Sequence, residues 1–318
     1  MPWIGAEYEV LPNGVRVRVS AERIRKLTAK VTEALAAKGM VKGMRSLTGE
    51  LSWVAGIVPT LRPFVHIEGR GAARQRPNDM VFVKQVQRPL TWILRFLEGH
   101  HGGLQRQRFC EDQWSQPQWL VTRLVRTDAS TTGAGAALFD ANRNPVRWWS
   151  VGFDAALLQP LGLVAGEPGL MTAYEVLALL IAAFTWAPLL RGCRLGIVAQ
   201  LDSESALGVA VKLASPHPLV NQLAAELALQ LEVLGADALS AEHYRNLLNI
   251  EADALTRLRE GKQVPGRLAG LPRDAIPAPL PYLRLLGDTA PRLHSDSKTP
   301  LRKARPRARV NGLKGHKP

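Results

Sequence analysis

The sequence predicts an α/β protein: a mixed sheet of five strands with helices packed on it, preceded by a strand and a helical hairpin. Three observations carry this. Between residues 121 and 153, apolar runs are separated by short polar turns, the pattern of an antiparallel meander. A continuous apolar run from Thr172 to about Trp186 is too long for a strand and reads as a buried helix. Strand-like runs then alternate with helical ones, which is how parallel neighbours are reached through crossovers.

In chain order, Val15 to Val19 (VRVRV) alternates apolar and basic residues, as a half-exposed strand does. Ile24, Leu27, Val31 and Leu35 recur at helical spacing, and Gly39 supplies a stop. Leu47, Leu51, Val54 and Val58 mark one face of a second helix that Pro59 ends. Residues 66–120 are less regular: GRGAARQRPND reads as a basic loop, Val81 to Leu97 as a helix interrupted at Pro89, and the whole as a connector. LVTRLVRTDAS, GAGAALFD and PVRWWSVGF (Pro145 to Phe153) are the meander strands. After the apolar helix come a strand from Leu195 to Leu201 and a helix from Ser203 to Leu213. An amphipathic helix from Pro218 to Leu234, a strand from Ala238 to Glu242 and a closing helix from about Asn249 complete the unit. From 261 onward Pro recurs, periodicity fades, and a basic, low-complexity tail is expected to be disordered. The chain thus divides into 1–65, 66–120, 121–260 and 261–318.

Composition narrows the function classes. With 318 residues and 46% apolar content, the chain affords a sizeable core and is not wholly disordered. The net charge is +14, and residues 291–318 hold nine Lys or Arg against one Asp. That asymmetry favours a polyanionic partner, with the tail gripping nucleic-acid phosphates at salt-dependent affinity. Cys110 and Cys193 are far apart with no CxxC, which excludes a disulfide framework and a cysteine zinc site. The start, MPWIGAEYEV, lacks the charged and apolar regions of a secretory signal, and the apolar run Val176 to Leu190 is short and broken by Pro188. The expectation is an intracellular protein, cytoplasmic or nuclear, without a membrane partner.

Four acids sit at element ends: Asp128 after the first strand, Glu175 in the first turn of the apolar helix, Asp202 after the fourth strand and Asp253 opening the last helix. Each has a structural explanation. Thr172 and Glu175 fit a capping box, Asp202 and Asp253 suit helix N-termini, and Asp128 suits a turn. Together they predict more. Parallel neighbouring strands bring Asp128 and Asp202 to one rim, where the helix starts can add the others. Clustered carboxylates repel one another unless a cation neutralises them, and hard oxygen ligands without a thiolate suit Mg²⁺ or Mn²⁺.

These residues carry a resemblance. TDASTTGAGAALFD, YEVLALLIA, LDSESALGV and HYRNLLNIEADAL stand in the order of the type-1 ribonuclease H domain that follows reverse transcriptase in retroelements, across about 121–260. His243, Asn249 and Asp253 match that family's closing histidine, asparagine and aspartate. The resemblance implies a ribonuclease-H-like sheet, a metal-dependent endonuclease acting on the RNA strand of RNA–DNA hybrids, and two divalent ions held by Asp128, Glu175, Asp202 and Asp253. It implies that His243 assists proton transfer or product release, and that Ser130, Ser203 and Asn249 meet the substrate.

The N-terminal stretch WIGAEYEVLPNGVRVRVSAERI resembles the palm end of a reverse transcriptase. LTGELSWVAGIVPTLRPF resembles the thumb helix of tyrosine-recombinase and long-terminal-repeat retrotransposons. No Asp-Asp dipeptide occurs, so the paired polymerase aspartates are missing and the chain reads as the downstream piece of a larger reverse transcriptase polyprotein, or as a decayed copy. Glu204 stands where many members carry a Gln that contacts nucleic acid, and residues 150–170 do not align closely. A catalytically inactive binding scaffold is the alternative; an integrase-like nuclease ranks last, since it lacks the histidine–asparagine–aspartate ending. Other features absorb into structure. His100-His101 has no further ligands at suitable spacing, GAGA at 133–136 is not followed by GK[ST], and Trp53 and Trp92 fit helix faces. Trp148 and Trp149 alternate on their strand, one for the core and one free to pack or to stack on a base.

Overall fold

The computed structural model describes residues 2–3, 5–11, 14–73, 80–100, 104–109, 123–191, 197–235, 240–244, 249–277 and 280. The N-terminal part opens on β1 (Pro2–Trp3), β2 (Ala6–Leu11) and β3 (Gly14–Val19), joined later by β6 (Gln105–Phe109) in a sheet ordered β1-β2-β3-β6. Helix α1 (Ala21–Ala36) starts at Ser20, whose hydroxyl accepts from the Arg23 amide. After α1, β4 (Met40–Lys42) pairs with β5 (Met80–Phe82), and between them lie α2 (Met44–Ile57) and α3 (Arg62–Ala73).

Helix α4 (Val83–Leu97) follows β5. Leu27, Val31, Leu51, Phe64, Leu90 and Phe96, from α1 to α4, share one core. Here the structure corrects the expectation of a connector after residue 65. Residues 66–73 continue helix α3, and residues 83–97 form a helix whose buried face helps to build that core. Nor does Pro89 interrupt α4. The backbone donor it lacks is offset by an apolar face, Val86, Leu90, Ile93 and Phe96, that is wholly buried.

The second part contains β7 (Arg123–Ala129), β8 (Gly133–Phe139), β9 (Pro145–Gly152), β10 (Ile197–Leu201) and β11 (Ser240–His243). Their order is β11-β10-β7-β8-β9; β7 to β9 are antiparallel, and β10 runs parallel to both β7 and β11. This is the ribonuclease-H-like sheet the sequence predicts. The helices are α5 (Ala155–Leu158), α6 (Met171–Thr185), α7 (Ala187–Leu190), α8 (Glu204–Lys212), α9 (Pro218–Leu234) and α10 (Ile250–Thr256). Every residue from Ala173 to Ala183 is buried, because α6 packs on β7, β8 and α9. The apolar run 168–185, long enough by composition to cross a membrane, is here the central core helix.

On the opposite sheet face, α10 approaches β8 closely. A Cβ at Gly135 would lie 2.4 Å from the Leu255 Cβ and 2.8 Å from the Thr256 amide nitrogen, so only glycine fits. The same face corrects the expected tail boundary at 261. Leu268 is fully buried against Trp148, whose ring also lies under Arg273 and whose indole donates to the Leu271 carbonyl. Asp274 accepts from both Arg147 and Trp186. Trp148 is therefore covered and not available to a base, while Trp149 sits in the main core. The basic stretch from 281 to 318 lies outside the described residues.

The two cores meet along α9. Ala225 and Leu229 belong to the N-terminal core, and buried Asn221 donates to the Pro63 carbonyl while accepting from the Ser215 amide.

Candidate active site

Strand register decides the geometry. Arg126 on β7 faces Gln200 on β10, so Asp128 and Asp202, each two residues on, arrive together at one sheet end. Glu175, near the start of α6, reaches the same point. Carboxylate oxygens of Asp128, Glu175 and Asp202 lie within 4.8 Å of one another.

The helix-capping explanations for Glu175 and Asp202 do not hold. Helix α6 begins at Met171, after Leu170, with no side-chain cap, so Thr172 and Glu175 form no capping box. Helix α8 is capped by Ser203, whose hydroxyl accepts from the Ala206 amide; Asp202 is not its cap. Glu175 is buried in an apolar helix with Oε2 unpartnered, and Asp202 Oδ1 is likewise buried without a partner.

Burial is the main cause of the electrostatic strain. It raises the Asp128 carboxyl from 3.8 to about 7; the Thr256 hydroxyl opposes this, and the Asp202 and Asp253 charges add to it. Burial, then the Asp202 and Asp128 charges, raise Glu175 from 4.5 to about 9. Asp202 is also raised, chiefly by burial, with its own backbone and the His243 ring acting against the rise. Buried, unpaired carboxylate oxygens converging at one point are the donor set of a hard divalent cation, and the residues present fit one.

Asp253 stands apart. It is near enough for its charge to act on Asp128 and Asp202, but Arg257 holds one of its oxygens at 2.9 Å and Lys262 the other at 2.6 Å. His243 ends β11 with Nε2 2.9 Å from the Asp202 carbonyl, and is exposed. Asn249, expected at the substrate, is instead fully buried, its amide donating towards the Thr127 carbonyl at 3.4 Å. It fixes the start of α10 against the strand that carries Asp128. Ser130 closes the β7–β8 turn by accepting from the Thr132 and Gly133 amides, and Ser203 is the α8 cap, so both shape the rim. Glu204 is exposed in the first turn of α8. His100 is exposed beside Glu98, while His101, Cys110 and Cys193 lie outside the described residues.

Sequence reasoning missed a buried polar group beneath the acids. Arg126 donates from Nε to Gln200 at 3.0 Å and from Nη1 to Glu251 at 2.8 Å, and Glu251 also accepts from Arg267 at 2.9 Å. The signal was present: an arginine inside the apolar run LVRTDAS, which a strand buried on both faces tolerates only with partners.

The sequence matches no family model and no curated protein. Among solved structures it is similar to RNase H1 from the halophilic archaeon Halobacterium salinarum NRC-1, at 16% identity and a TM-score of 0.32, covering 44% of this chain and 98% of that one. It is also similar to the foamy viral protease-reverse transcriptase in complex with dsDNA: 13% identity, TM-score 0.29, 75% of this chain and 45% of that one. For the same viral protein in complex with RNA/DNA hybrid the values are 11%, 0.27, 77% and 30%. The chain thus spans less than half of the viral chains.

Proposed function

We propose that the chain is a divalent-metal-dependent nuclease of ribonuclease H type that hydrolyses the RNA strand of RNA–DNA hybrids. The observation that carries this reading is the meeting of Asp128, Glu175 and Asp202 within 4.8 Å, with buried carboxylate oxygens left unpartnered. Asp128, Glu175 and Asp202 would hold Mg²⁺ or Mn²⁺, and Asp253 would join a second ion on releasing Arg257 and Lys262. When bound, such cations supply Lewis acidity towards a scissile phosphate and its attacking water.

The chain's own residues do the rest. Asp128 and Asp202, fixed by adjacent strands, set the point at which the phosphate must sit. With Nε2–H on the Asp202 carbonyl, His243 keeps Nδ1 free to accept or deliver a proton at the rim. The 2′-hydroxyl is the group by which such a site tells RNA from DNA. The basic residues 291–318 would add a sequence-independent grip on phosphates. The N-terminal helices are read as a thumb-like piece of a retroelement reverse transcriptase, and the place of action as cytoplasm or nucleus.

Labelled RNA–DNA hybrid incubated with Mg²⁺ should yield RNA products bearing 5′ phosphates, and none in chelator. Asp202→Asn should abolish cleavage while keeping hybrid binding. Asp253's engagement with two cationic side chains favours one second reading, an inert hybrid-binding scaffold. Duplex binding with no metal-dependent product would establish that reading instead.

A further inference from the structure

The buried arginine beneath the acids has partners in a telling pattern. Arg126 lies two residues before Asp128 on β7, and Gln200 two residues before Asp202 on β10. Glu251 lies two residues before Asp253 on α10, and Tyr244 directly follows His243. The guanidinium touches Gln200, Glu251 and Tyr244, and also Phe139. Its Nε donates to Gln200 and its Nη1 to Glu251, and its Cζ lies 4.1 Å from the Tyr244 ring centroid and 4.5 Å from that of Phe139. Gln200 passes the contact along, donating to Glu242, its register partner on β11. Strand period 2 places this row on the same sheet face as the acids, one step below them. Arg126 and Glu251 side chains are 7% and 8% exposed, so neither charge is solvated by bulk water; Glu251 is the ion-pair partner of Arg126, and its other oxygen is held by Arg267.

We propose that Arg126 is a positioning residue for the metal-binding acids. One planar cation, set against two rings and hydrogen-bonded to the neighbouring strand β10 and to helix α10, sets the spacing of the segments that deliver Asp128, Asp202, His243 and Asp253. A purely stabilising role would be filled by any well-packed apolar group. Arginine is suited to the positioning role because its fork and two flat faces fix direction as well as distance. Outer partners of this kind typically tune metal affinity or activity by about 10–100-fold. The inference rests on the nuclease reading for its catalytic consequence, but not for its metal-binding one.

The test uses the full chain. Arg126→Met alone leaves the buried Glu251 charge with only the exposed Arg267 as partner and is at risk of unfolding, so the deciding variant is Arg126→Met/Glu251→Gln, which removes both buried charges at similar volume. Arg126→Lys is its companion, retaining the charge without the fork. Mn²⁺ affinity is read by calorimetry, fold by thermal melting, and hybrid cleavage as separate kcat and KM. The expected result is a double variant that melts within a few degrees of wild type, binds Mn²⁺ about 10–100-fold more weakly, and loses kcat with KM for hybrid unchanged. Arg126→Lys should restore neither affinity nor kcat. A folded double variant with wild-type Mn²⁺ affinity overturns the proposal. If wild type binds Mn²⁺ but cleaves no hybrid, the nuclease reading fails, and the Mn²⁺ comparison still decides the role of Arg126. If wild type binds no Mn²⁺, both fall.

Discussion

Asp128 and Glu175 hold protons in the folded chain at pH values where the unfolded chain has released them. Raised carboxyl pKa values, to about 7 and about 9, mean stability that is fully present below about pH 4 and is lost as pH rises through those folded values. Between pH 6 and 9, the protein in chelator should therefore melt at steadily lower temperature. On the proposed function Mg²⁺ would bind the ionised site, so its stabilisation should grow over the same interval, reaching on the order of 5 °C at saturating metal. Scanning fluorimetry at several pH values, with EDTA or Mg²⁺, checks this; a metal-induced shift that is flat with pH would contradict it. Asp202→Asn removes one charge from the cluster, so it should raise the metal-free melting temperature by about 2–4 °C while cleavage disappears. At this scale the sequence was readable for Asp128 and Asp202, because polar residues closing apolar strands stand out, and for Glu175, because a charge within an apolar helix does. It was not readable for Asn249 or Arg126, whose roles depend on partners more than 70 residues away.

At the scale of elements, the close approach of α10 to β8 governs how the last helix presents Asp253. Gly135→Ala would drive a methyl into the backbone around Leu255 and Thr256. The variant should lose about 1–3 kcal/mol by denaturant melting and cleave hybrid more slowly than its stability loss explains. Full stability would show that α10 has room to retreat. The meander, the apolar helix α6 and the crossovers were legible because each has an unambiguous period or length. Helix α3 was not, since a basic loop hides its end, while α4 was legible as a helix but not as an unbroken one, because Pro89 marks an interruption that the buried face overrides. The stretch 261–277 was hidden for another reason: it packs through a few isolated residues, Leu268, Leu271 and Asp274, with no period to detect.

Across the whole molecule, two cores share α9, and Asn221 joins them with both ends of its amide buried. Asn221→Leu would strand the Pro63 carbonyl and the Ser215 amide, at a cost on the order of 2–3 kcal/mol. The loss should appear as a split of one unfolding transition into two, with the N-terminal helices parting from the sheet; a single unshifted transition would show that the shared core suffices. The central claim concerns the acids themselves. Crystals of the full chain soaked in Mn²⁺ and measured at the manganese edge test it most directly. The account predicts anomalous density between Asp128, Glu175 and Asp202. Manganese at millimolar concentration bound elsewhere, with that position empty, would contradict it.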